Sequence, residues 1–269
     1  MDPCVDSSEA VQHGWMELWY QPKIDAHAVA TVGAEGLLRA RHPSLGIVPP
    51  KYFVETPGEC RLRAISEAVI KRVTNDWYRL LVARSSVEIA INLPIAFLRD
   101  EGAFDYLFRH LPDHSNFPGL IIEIDSIEIV SNWALAKEIS NILGYRNIAI
   151  SIDHAGAKGT WLHGLGDFPF VEIKIDPSFV RGCATDKNKQ TRCRELLNIA
   201  QGYGARTVAE GVETWPDFFA LRDIGCEVVQ GLLFAKPTPI DQFARSCWTD
   251  AWQEKRSARA RAGLQSVSI

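Results

Sequence analysis

The chain is a succession of short apolar runs rich in β-branched residues, and most of the stretches between them have helical spacing. Runs of this kind predict strands, here at 16–24, 29–38, 87–93, 120–124, 148–153, 171–176, 207–212 and 228–234. The stretches that place apolar residues near one face predict helices at 61–82, 127–143 and 192–203. Strands that alternate with helices indicate a mostly parallel sheet. Eight strands in about 250 residues predict an α/β fold of the TIM (β/α)8 barrel type.

The first two predicted strands depart from a regular barrel. The connection at 25–28 is too short for a crossover helix, so these strands should form an antiparallel hairpin. A doubly wound open sheet is the alternative, but the glycine fingerprint that would follow its first strand is missing from the sequence. We therefore predict a modified barrel as a single domain at 15–250, with an N-terminal extension at 1–14 and a basic C-terminal tail at 251–269.

Composition and charge exclude several classes of protein. Hydrophobic residues make up 46% of the 269 positions and charged residues 23%, as in globular proteins rather than disordered or fibrous ones. The net charge of −4 argues against nucleic acid as a partner, because binding it requires a basic surface. No apolar run approaches the roughly 18 residues that span a bilayer, and residues 1–14 lack the apolar segment of a signal peptide. Six scattered cysteines without a C-x-x-C pair indicate reduced thiols, a cytoplasmic location and no structural zinc site.

Polar residues end one face of several predicted strands. Successive strand residues point to opposite faces, so in 148–153 the bulky Ile148, Ile150 and Ile152 share one face and Asp153 ends the other. In a barrel the carboxyl ends of the parallel strands lie on one rim, which carries the active site of barrel enzymes. The residues predicted for this rim are Glu35, Asn92, Glu123, Asp153, Lys174, Glu210 and Gln230.

The residue types at this rim indicate a metal site. Four carboxylates and an amide oxygen that converge on one spot need cations to offset their charge. Oxygen ligands are what Mg²⁺ or Mn²⁺ prefers, whereas a zinc site would normally include His or Cys. A hard divalent ion beside Lys174 suits hydrolysis of an anionic phosphodiester, since it would lower the pKa of a bound water and neutralise phosphate charge. A single polar residue at a strand end is more often a cap or a solvated side chain, but seven in register are hard to explain in that way.

The order and spacing of several motifs resemble those of a known family. They are Tyr-Gln-Pro at 20–22, Gly-Ala-Glu-Gly-Leu-Leu-Arg at 33–39, Asn92, Glu-Ile at 123–124, Ile-Asp at 152–153, Lys-Ile-Asp-Pro-Ser-Phe-Val at 174–180, Ala-Glu-Gly-Val-Glu-Thr at 209–214 and Gln-Gly at 230–231 before Lys-Pro at 236–237. Together they make the chain resemble the EAL domain of cyclic di-GMP signalling from about Glu17 to Pro239.

The resemblance implies a barrel with an antiparallel first strand and a stand-alone phosphodiesterase that opens cyclic di-GMP to pGpG. The cofactor would be Mg²⁺ or Mn²⁺, and Ca²⁺ would bind without supporting turnover. The resemblance also implies a homodimer. It implies that the metal ligands are Glu35, Asn92, Glu123 and Asp153, with Glu210 assisting. Positioning or activation of the attacking water would fall to Lys174 and Gln230. The nucleotide would be contacted by Gln21, Arg39 and Glu213.

Several motifs depart from the family pattern. Glu-Ala-Leu reads Glu-Gly-Leu at 35–37, and Asn-x-Ser reads Asn-Leu-Pro at 92–94. Ser126 replaces a glutamate that braces a neighbouring loop, and we predict it to be the N-cap of the helix that begins near Ile127. In the Asp-Asp-Phe-Gly loop, His154 replaces the second aspartate, and it is either a metal ligand or a solvated loop residue. Trp161 lies in the same altered loop and would stack on a base or a dimer partner.

Two hypotheses from different classes follow. The first is an active cyclic di-GMP phosphodiesterase, attenuated by the altered loop. The second is an inactive domain that acts as a cyclic di-GMP receptor or binds a protein partner. The retained rim residues favour the enzyme, whereas His154, Ser126 and the altered loop favour the inactive domain.

Overall fold

The computed structural model describes residues 6–53, 59–82, 87–157, 162 and 166–247. The predicted tail at 251–269 and the side chain of Trp161 lie outside these ranges. Across the described residues, no helix has the length and apolar character needed to cross a membrane.

The strands of the described residues form one sheet whose ends meet. In chain order they are β1 (Met16–Asp25), β2 (Thr31–His42), β3 (Gly46–Val48), β4 (Glu88–Asn92), β5 (Leu120–Asp125), β6 (Ile148–Ala155), β7 (Glu172–Ile175), β8 (Arg206–Glu210), β9 (Val228–Gln230) and β10 (Thr238–Pro239). Eight of these described strands close a ring in the order β1, β9, β8, β7, β6, β5, β4, β2. In that ring β1 is antiparallel to both of its neighbours, and the other pairings are parallel. The predicted barrel with an antiparallel first strand is confirmed, and the open sheet is wrong.

Helices cover the outside of the barrel. They are α1 (Ser7–Gln12), α2 (Glu59–Val82), α3 (Ile95–Leu98), α4 (Glu101–His110), α5 (Ser126–Ser131), α6 (Trp133–Gly144), α7 (Pro177–Val180), α8 (Lys187–Gly202), α9 (Trp215–Ile224) and α10 (Ile240–Cys247), with a 3-10 turn at Pro50–Tyr52. The predicted helix 127–143 is divided into α5 and α6, because the backbone of Asn132 leaves helical geometry at φ −130° and ψ 41°. The predicted helix 192–203 begins earlier, since the Asp186 side chain caps it by accepting from the amides of Asn188 and Lys189.

The eighth strand of the barrel is shorter than the predicted run 228–234. It ends at Gln230 because Gly231 packs directly on the backbone of Val212. A Cβ atom at Gly231 would lie 2.0 Å from the Val212 carbonyl oxygen, so glycine alone fits there. This close approach ends the strand and leaves Gln230 at the carboxyl end of the barrel.

Strands β4 to β7 turn an apolar face outward, and their inner face carries polar residues among small or apolar ones such as Ala90 and Ile121. The outer face packs on the helices and includes Ile89, Ile91, Ile122, Ile124, Ile150, Ile152, Ile173 and Ile175, all buried. Lys23 on β1 contacts Glu123 on β5 and Glu172 on β7, although these strands are not neighbours. Such contacts run through the barrel lumen, so the lumen holds buried charged side chains.

Three cysteines of the described residues, Cys183, Cys193 and Cys226, are buried and free. Burial raises the pKa of each thiol, to about 12, 12 and 11 respectively. These free thiols agree with the predicted reduced cysteines, and their raised pKa values are those of thiols with low reactivity.

Candidate active site

Lys174 lies at the centre of a ring of carboxylates at the carboxyl end of the barrel. Its ammonium nitrogen Nζ is 2.6 Å from Glu123 Oε2, 2.9 Å from Glu210 Oε1, and 3.2 Å from both Glu35 Oε2 and Asp153 Oδ1. These carboxylates come from β2, β5, β6 and β8, and Lys174 itself from β7. The Lys174 side chain is fully buried. The structure therefore brings together the predicted rim residues of five strands.

Two side-chain amides complete this ring. Asn92 Nδ2 donates to Glu35 Oε1 at 2.9 Å and to Glu123 Oε2 at 3.4 Å. Gln230 Nε2 donates to Glu35 Oε2 at 2.8 Å and to Gln21 Oε1 at 3.2 Å. All seven predicted rim residues, together with Gln21, thus belong to one connected cluster within the described part of the chain.

Strand register explains why these residues meet. In the parallel pairs of the barrel, Asn92 lies beside Glu123, and Glu210 lies beside Gln230. Residues that are paired in register on neighbouring strands stand at the same height and point to the same face. The alternation of side chains along a strand therefore determines which of them point into the barrel. The register between neighbouring strands determines which of these side chains lie at the same height.

Burial, mutual repulsion and the Lys174 ammonium group act together on the carboxylates of the site. Burial would raise the pKa of Glu35, but Lys174 holds it below its usual value. Burial raises the pKa of Glu210 well above its usual range; Lys174 opposes this shift, and Asp153 adds to it. Burial and the Glu35 carboxylate also raise the pKa of Glu123. Burial alone would lower the pKa of Lys174, but the surrounding carboxylates, Asp153 first, raise it well above its usual range. The surrounding carboxylates therefore favour the charged form of Lys174, and burial favours the protonated form of Glu210.

The site has donor atoms that fit a divalent cation. Within the described residues, Glu210 Oε2 and Gln230 Oε1 are buried without a hydrogen-bond partner. A buried polar atom without a partner is costly, and a cation or an ordered water would satisfy it. Asn92 Nδ2 faces the carboxylates, and a 180° rotation of the amide would turn Oδ1 toward a cation held among them. One ligand atom from each of Asp153, His154 and Glu210 lies within 4.8 Å of the others. The oxygen donors of the ring therefore fit Mg²⁺ or Mn²⁺.

The altered loop is attached to this cluster through His154. Its Nδ1 lies 3.3 Å from Asp153 Oδ2 and 3.5 Å from Asp125 Oδ2. The backbone of His154 is left-handed, with φ +51°. The Ser126 hydroxyl donates to the His154 carbonyl oxygen at 3.1 Å.

The predicted role of Ser126 as a helix N-cap is wrong. The N-cap is Asp125, whose Oδ1 accepts from the Ile127 amide at 2.8 Å, and Ser126 is the first residue of α5. The strand runs one residue beyond its predicted end, so Asp125 reaches the cap position and the Ser126 hydroxyl is available to hold the loop instead.

The predicted nucleotide-contacting residues lie at different distances from the centre. Gln21 joins the cluster through Gln230. Arg39 is half-buried on β2, and its Nη1 donates to the Leu38 carbonyl oxygen. Glu213 lies on the surface and pairs with Arg181 at 2.9 Å. Among the described residues, Gln21 is therefore the member of this group with a direct bond to the ring.

Sequence reasoning missed a second layer of charged residues below the ring. Glu172 is fully buried, and its oxygens contact Lys23 at 2.5 Å, Ser151 at 2.9 Å and Arg206 at 2.9 Å. Burial would raise the pKa of Glu172, but Lys23 and Arg206 lower it to about 2. Strand parity places Glu172 on the same face as Lys174, and Lys23 on the same face as Gln21, but it does not give their height in the barrel.

A cavity of about 350 Å³ lies beside the ring. Its polar side includes Asn92, Glu123, Asp125 and Glu128, and apolar residues of β2 and α2, among them Leu38, Ile65 and Val69, form the other side. Its volume and mixed lining are those of a small-molecule site.

Comparison with known proteins agrees with this architecture. The sequence model of the EAL domain matches residues 5–237. The cyclic di-GMP phosphodiesterase RocR of Pseudomonas aeruginosa is 28% identical over 256 residues, which cover 90% of this chain and 62% of RocR. The oxygen sensor protein DosP of Escherichia coli is 31% identical over 245 residues, which cover 87% of this chain and 30% of DosP. The solved structure of PaMucR phosphodiesterase in complex with c-di-GMP is 29% identical, with a TM-score of 0.79, and the match covers 88% of this chain and 97% of that one.

The chain spans less than two thirds of the length of these two curated relatives. The family match, by contrast, extends over most of the chain and includes every strand of the barrel. On the basis of this match and of the barrel with its antiparallel first strand, the chain belongs to the EAL domain family.

Proposed function

We propose that the chain is a metal-dependent phosphodiesterase that hydrolyses cyclic di-GMP to the linear dinucleotide pGpG. The observation that carries this proposal is the ring of carboxylates around Lys174, together with the buried oxygens of Glu210 and Gln230 that lack a partner within the described residues. Such a site suits a cation and an anionic substrate. The names of RocR and of the MucR complex support cyclic di-GMP as that substrate.

The metal would be held by Glu35, Asn92, Glu123 and Asp153, with Glu210 assisting, and would supply a more acidic bound water and neutralise phosphate charge. Calcium would occupy the same ligands without supporting turnover.

The other residues of the ring would act on the attacking water. The carboxylates around Lys174 favour its charged form, which would donate to the water oxygen and offset charge that develops at the phosphate. Gln230 Oε1 is available to accept from the same water and orient it. As the water oxygen bonds to phosphorus, its proton would pass to a ring carboxylate, one phosphodiester P–O bond would break, and the released ribose oxygen would take up a proton from solvent. This step opens the cyclic dinucleotide.

The rest of the substrate would bind around the ring. The cavity beside Asn92 and Glu123 offers an apolar surface to a guanine base. Arg39 carries the forked donors that suit a phosphate oxygen pair. Gln21 and Glu213 would complete the nucleotide contacts, the first from inside the ring and the second from the surface.

Release of pGpG tests this proposal. The wild-type chain should form pGpG from cyclic di-GMP with Mg²⁺ or Mn²⁺, and Lys174→Met should lose at least about 100-fold in rate, the scale of a lost transition-state donor. Lys187→Met on the exposed side of α8 is the matched control and should keep the wild-type rate. A Lys174→Met variant that turns over like the wild type would refute the assigned role.

A second candidate function is a cyclic di-GMP receptor without turnover. His154, which stands where the second aspartate of the loop is expected, favours it, because an imidazole adds no negative charge to hold a second ion. Binding of cyclic di-GMP in the presence of Ca²⁺, without pGpG release in Mn²⁺, would identify the receptor. Absence of binding as well as of turnover would favour the protein-interaction module. The homodimer, the protein partner and the cytoplasmic location remain predictions from the sequence.

A further inference from the structure

We propose that Asp153, His154 and Glu210 form a mixed nitrogen and oxygen ion site that prefers a transition-metal ion of the Mn²⁺ or Zn²⁺ type to Mg²⁺. The inference rests on the proposed function, because this ion would serve the same site. It differs from an all-oxygen magnesium site in one ligand, the imidazole of His154.

The carboxylate oxygens of this site are the ones that do not contact Lys174. Lys174 contacts Asp153 Oδ1 and Glu210 Oε1. Asp153 Oδ2 faces the His154 ring, 3.3 Å from Nδ1. Glu210 Oε2 is buried without a hydrogen-bond partner in the described residues. One ligand atom from each of the three residues lies within 4.8 Å of the others, so small side-chain movements would let them share an ion.

The backbone of His154 is fixed so that its ring faces Asp153. The His154 amide donates to Asp153 Oδ1 at 3.0 Å, and its carbonyl oxygen accepts from the Ser126 hydroxyl at 3.1 Å. These two bonds hold the residue at φ +51°, a conformation that histidine adopts more readily than most side chains but that still costs free energy. Ser126 is therefore a positioning residue. Its hydroxyl restrains the loop at the position where the family pattern has a glutamate.

Ligand chemistry gives the preference. Mg²⁺ binds oxygen ligands and gains little from an imidazole, whereas Mn²⁺, Co²⁺ and Zn²⁺ accept imidazole nitrogen. Affinity for nitrogen-containing sites rises along the first-row series, so Zn²⁺ should bind more tightly than Mn²⁺. Replacing His154 by aspartate would return the site to all-oxygen donors and favour Mg²⁺ relative to Zn²⁺.

The test measures metal binding directly rather than turnover. Zn²⁺ and Mg²⁺ are titrated calorimetrically into the full chain as wild type, His154→Ala, His154→Asp and His27→Ala, and the imidazole ¹⁵N resonances are recorded with and without Zn²⁺. His27 is an exposed histidine in the turn between β1 and β2 and is the matched control. The resonance that disappears in His154→Ala identifies His154. Aspartate also tolerates the left-handed backbone, so His154→Asp guards against a loss caused by the loop conformation.

We expect His154→Ala to weaken Zn²⁺ binding by roughly 10- to 100-fold, a range seen even when a residue behind a metal ligand is lost, and to leave Mg²⁺ binding nearly unchanged. His154→Asp should narrow the preference for Zn²⁺ over Mg²⁺, His27→Ala should match the wild type, and the ¹⁵N resonance of His154 should shift with Zn²⁺. Ser126→Ala should weaken Zn²⁺ binding and spare Mg²⁺ binding.

Unchanged Zn²⁺ affinity in His154→Ala, or a His154 resonance that does not move with Zn²⁺, would overturn the proposal. Hydrolysis of cyclic di-GMP in that case would leave the proposed function intact. Zinc bound through His154 without hydrolysis in Mn²⁺ would instead support the site and contradict the proposed function.

Discussion

Lys23 and Lys174 lie in the same barrel lumen, and each contacts one oxygen of Glu123, at 2.9 Å and 2.6 Å. In the lower layer, which surrounds Lys23, the charges are balanced, because the Glu172 carboxylate also bonds to Arg206 and Ser151. In the upper layer, which is the ring around Lys174, four carboxylates of the described chain meet one ammonium group, and Glu210 Oε2 has no hydrogen-bond partner there.

The two layers differ in role: the lower one stabilises the fold, and the upper one forms the site. A buried ion pair is tolerated when its geometry is good and its remaining lone pairs are satisfied, and this holds for the lower layer. The upper layer violates the second condition, since two of its buried oxygens lack a partner within the described residues. Excess negative charge and unpartnered oxygens are what a layer has when it is built to hold a cation. The lower layer should therefore govern folding, and the upper layer binding and turnover.

Loss of Lys23 should give the largest effect on stability. Lys23→Met leaves Glu123 and Glu172 without their shared buried cation, so the free energy of unfolding should fall by about 3–5 kcal/mol. Urea unfolding followed by circular dichroism measures this, with the exposed Lys187→Met as a control that should stay within about 0.5 kcal/mol. A loss below about 1 kcal/mol would remove the distinction between the layers.

Loss of a carboxylate from the upper layer should raise the free energy of unfolding rather than lower it. Glu210→Gln removes one of the repelling charges, so with a chelator present it should raise the free energy of unfolding by about 0.5–2 kcal/mol, while pGpG release is lost. The same urea experiment and the hydrolysis assay measure both quantities. A destabilised Glu210→Gln variant would show that the metal-free ring is not under repulsion.

Glu172 and Glu210 should also respond oppositely to pH in the metal-free chain. The pKa of Glu172 falls from 4.5 to about 2 on folding, so its contribution to stability is present above 4.5 and is lost as pH falls toward 2. The pKa of Glu210 is raised above 4.5 on folding, so its effect is a loss of stability as pH rises above 4.5. Unfolding free energies across this range should show that Glu172→Gln removes the first dependence and Glu210→Gln the second. Identical pH profiles of the unfolding free energy for the two variants would contradict these opposite effects of Glu172 and Glu210.

The smallest effect is expected at Gly36, which follows Glu35 but points to the outer face of β2. A Cβ atom there would lie 3.4 Å from side-chain atoms of Leu18, Tyr20 and Ile91, which is ordinary contact. Gly36→Ala should therefore raise the free energy of unfolding by about 0.4–1 kcal/mol and leave turnover unchanged. Gly231→Ala is the contrasting variant, since its Cβ would clash with the Val212 backbone. A large loss of activity in Gly36→Ala would show that this departure from the family motif belongs to the site.

Strand parity was enough to predict the ring, because the period of two is local and can be counted along each run. It was not enough to place Lys23 and Glu172 in a lower layer, because height in a barrel depends on the register between strands that are far apart in sequence. The left-handed backbone of His154 and its bond to Ser126 likewise depend on contacts across the loop. The incorrect cap at Ser126 came from a strand end misplaced by one residue, and Asp125 occupies the cap instead.

Calorimetric titration of Mn²⁺ tests the division between the layers most directly. The account predicts that the wild type binds Mn²⁺ and that Glu35→Ala and Asp153→Ala each lose that binding while keeping the fold, because each removes a ring carboxylate. Asp223→Ala, whose carboxylate is 73% exposed, is the control and should bind like the wild type. Wild-type Mn²⁺ affinity in both Glu35→Ala and Asp153→Ala would contradict the account.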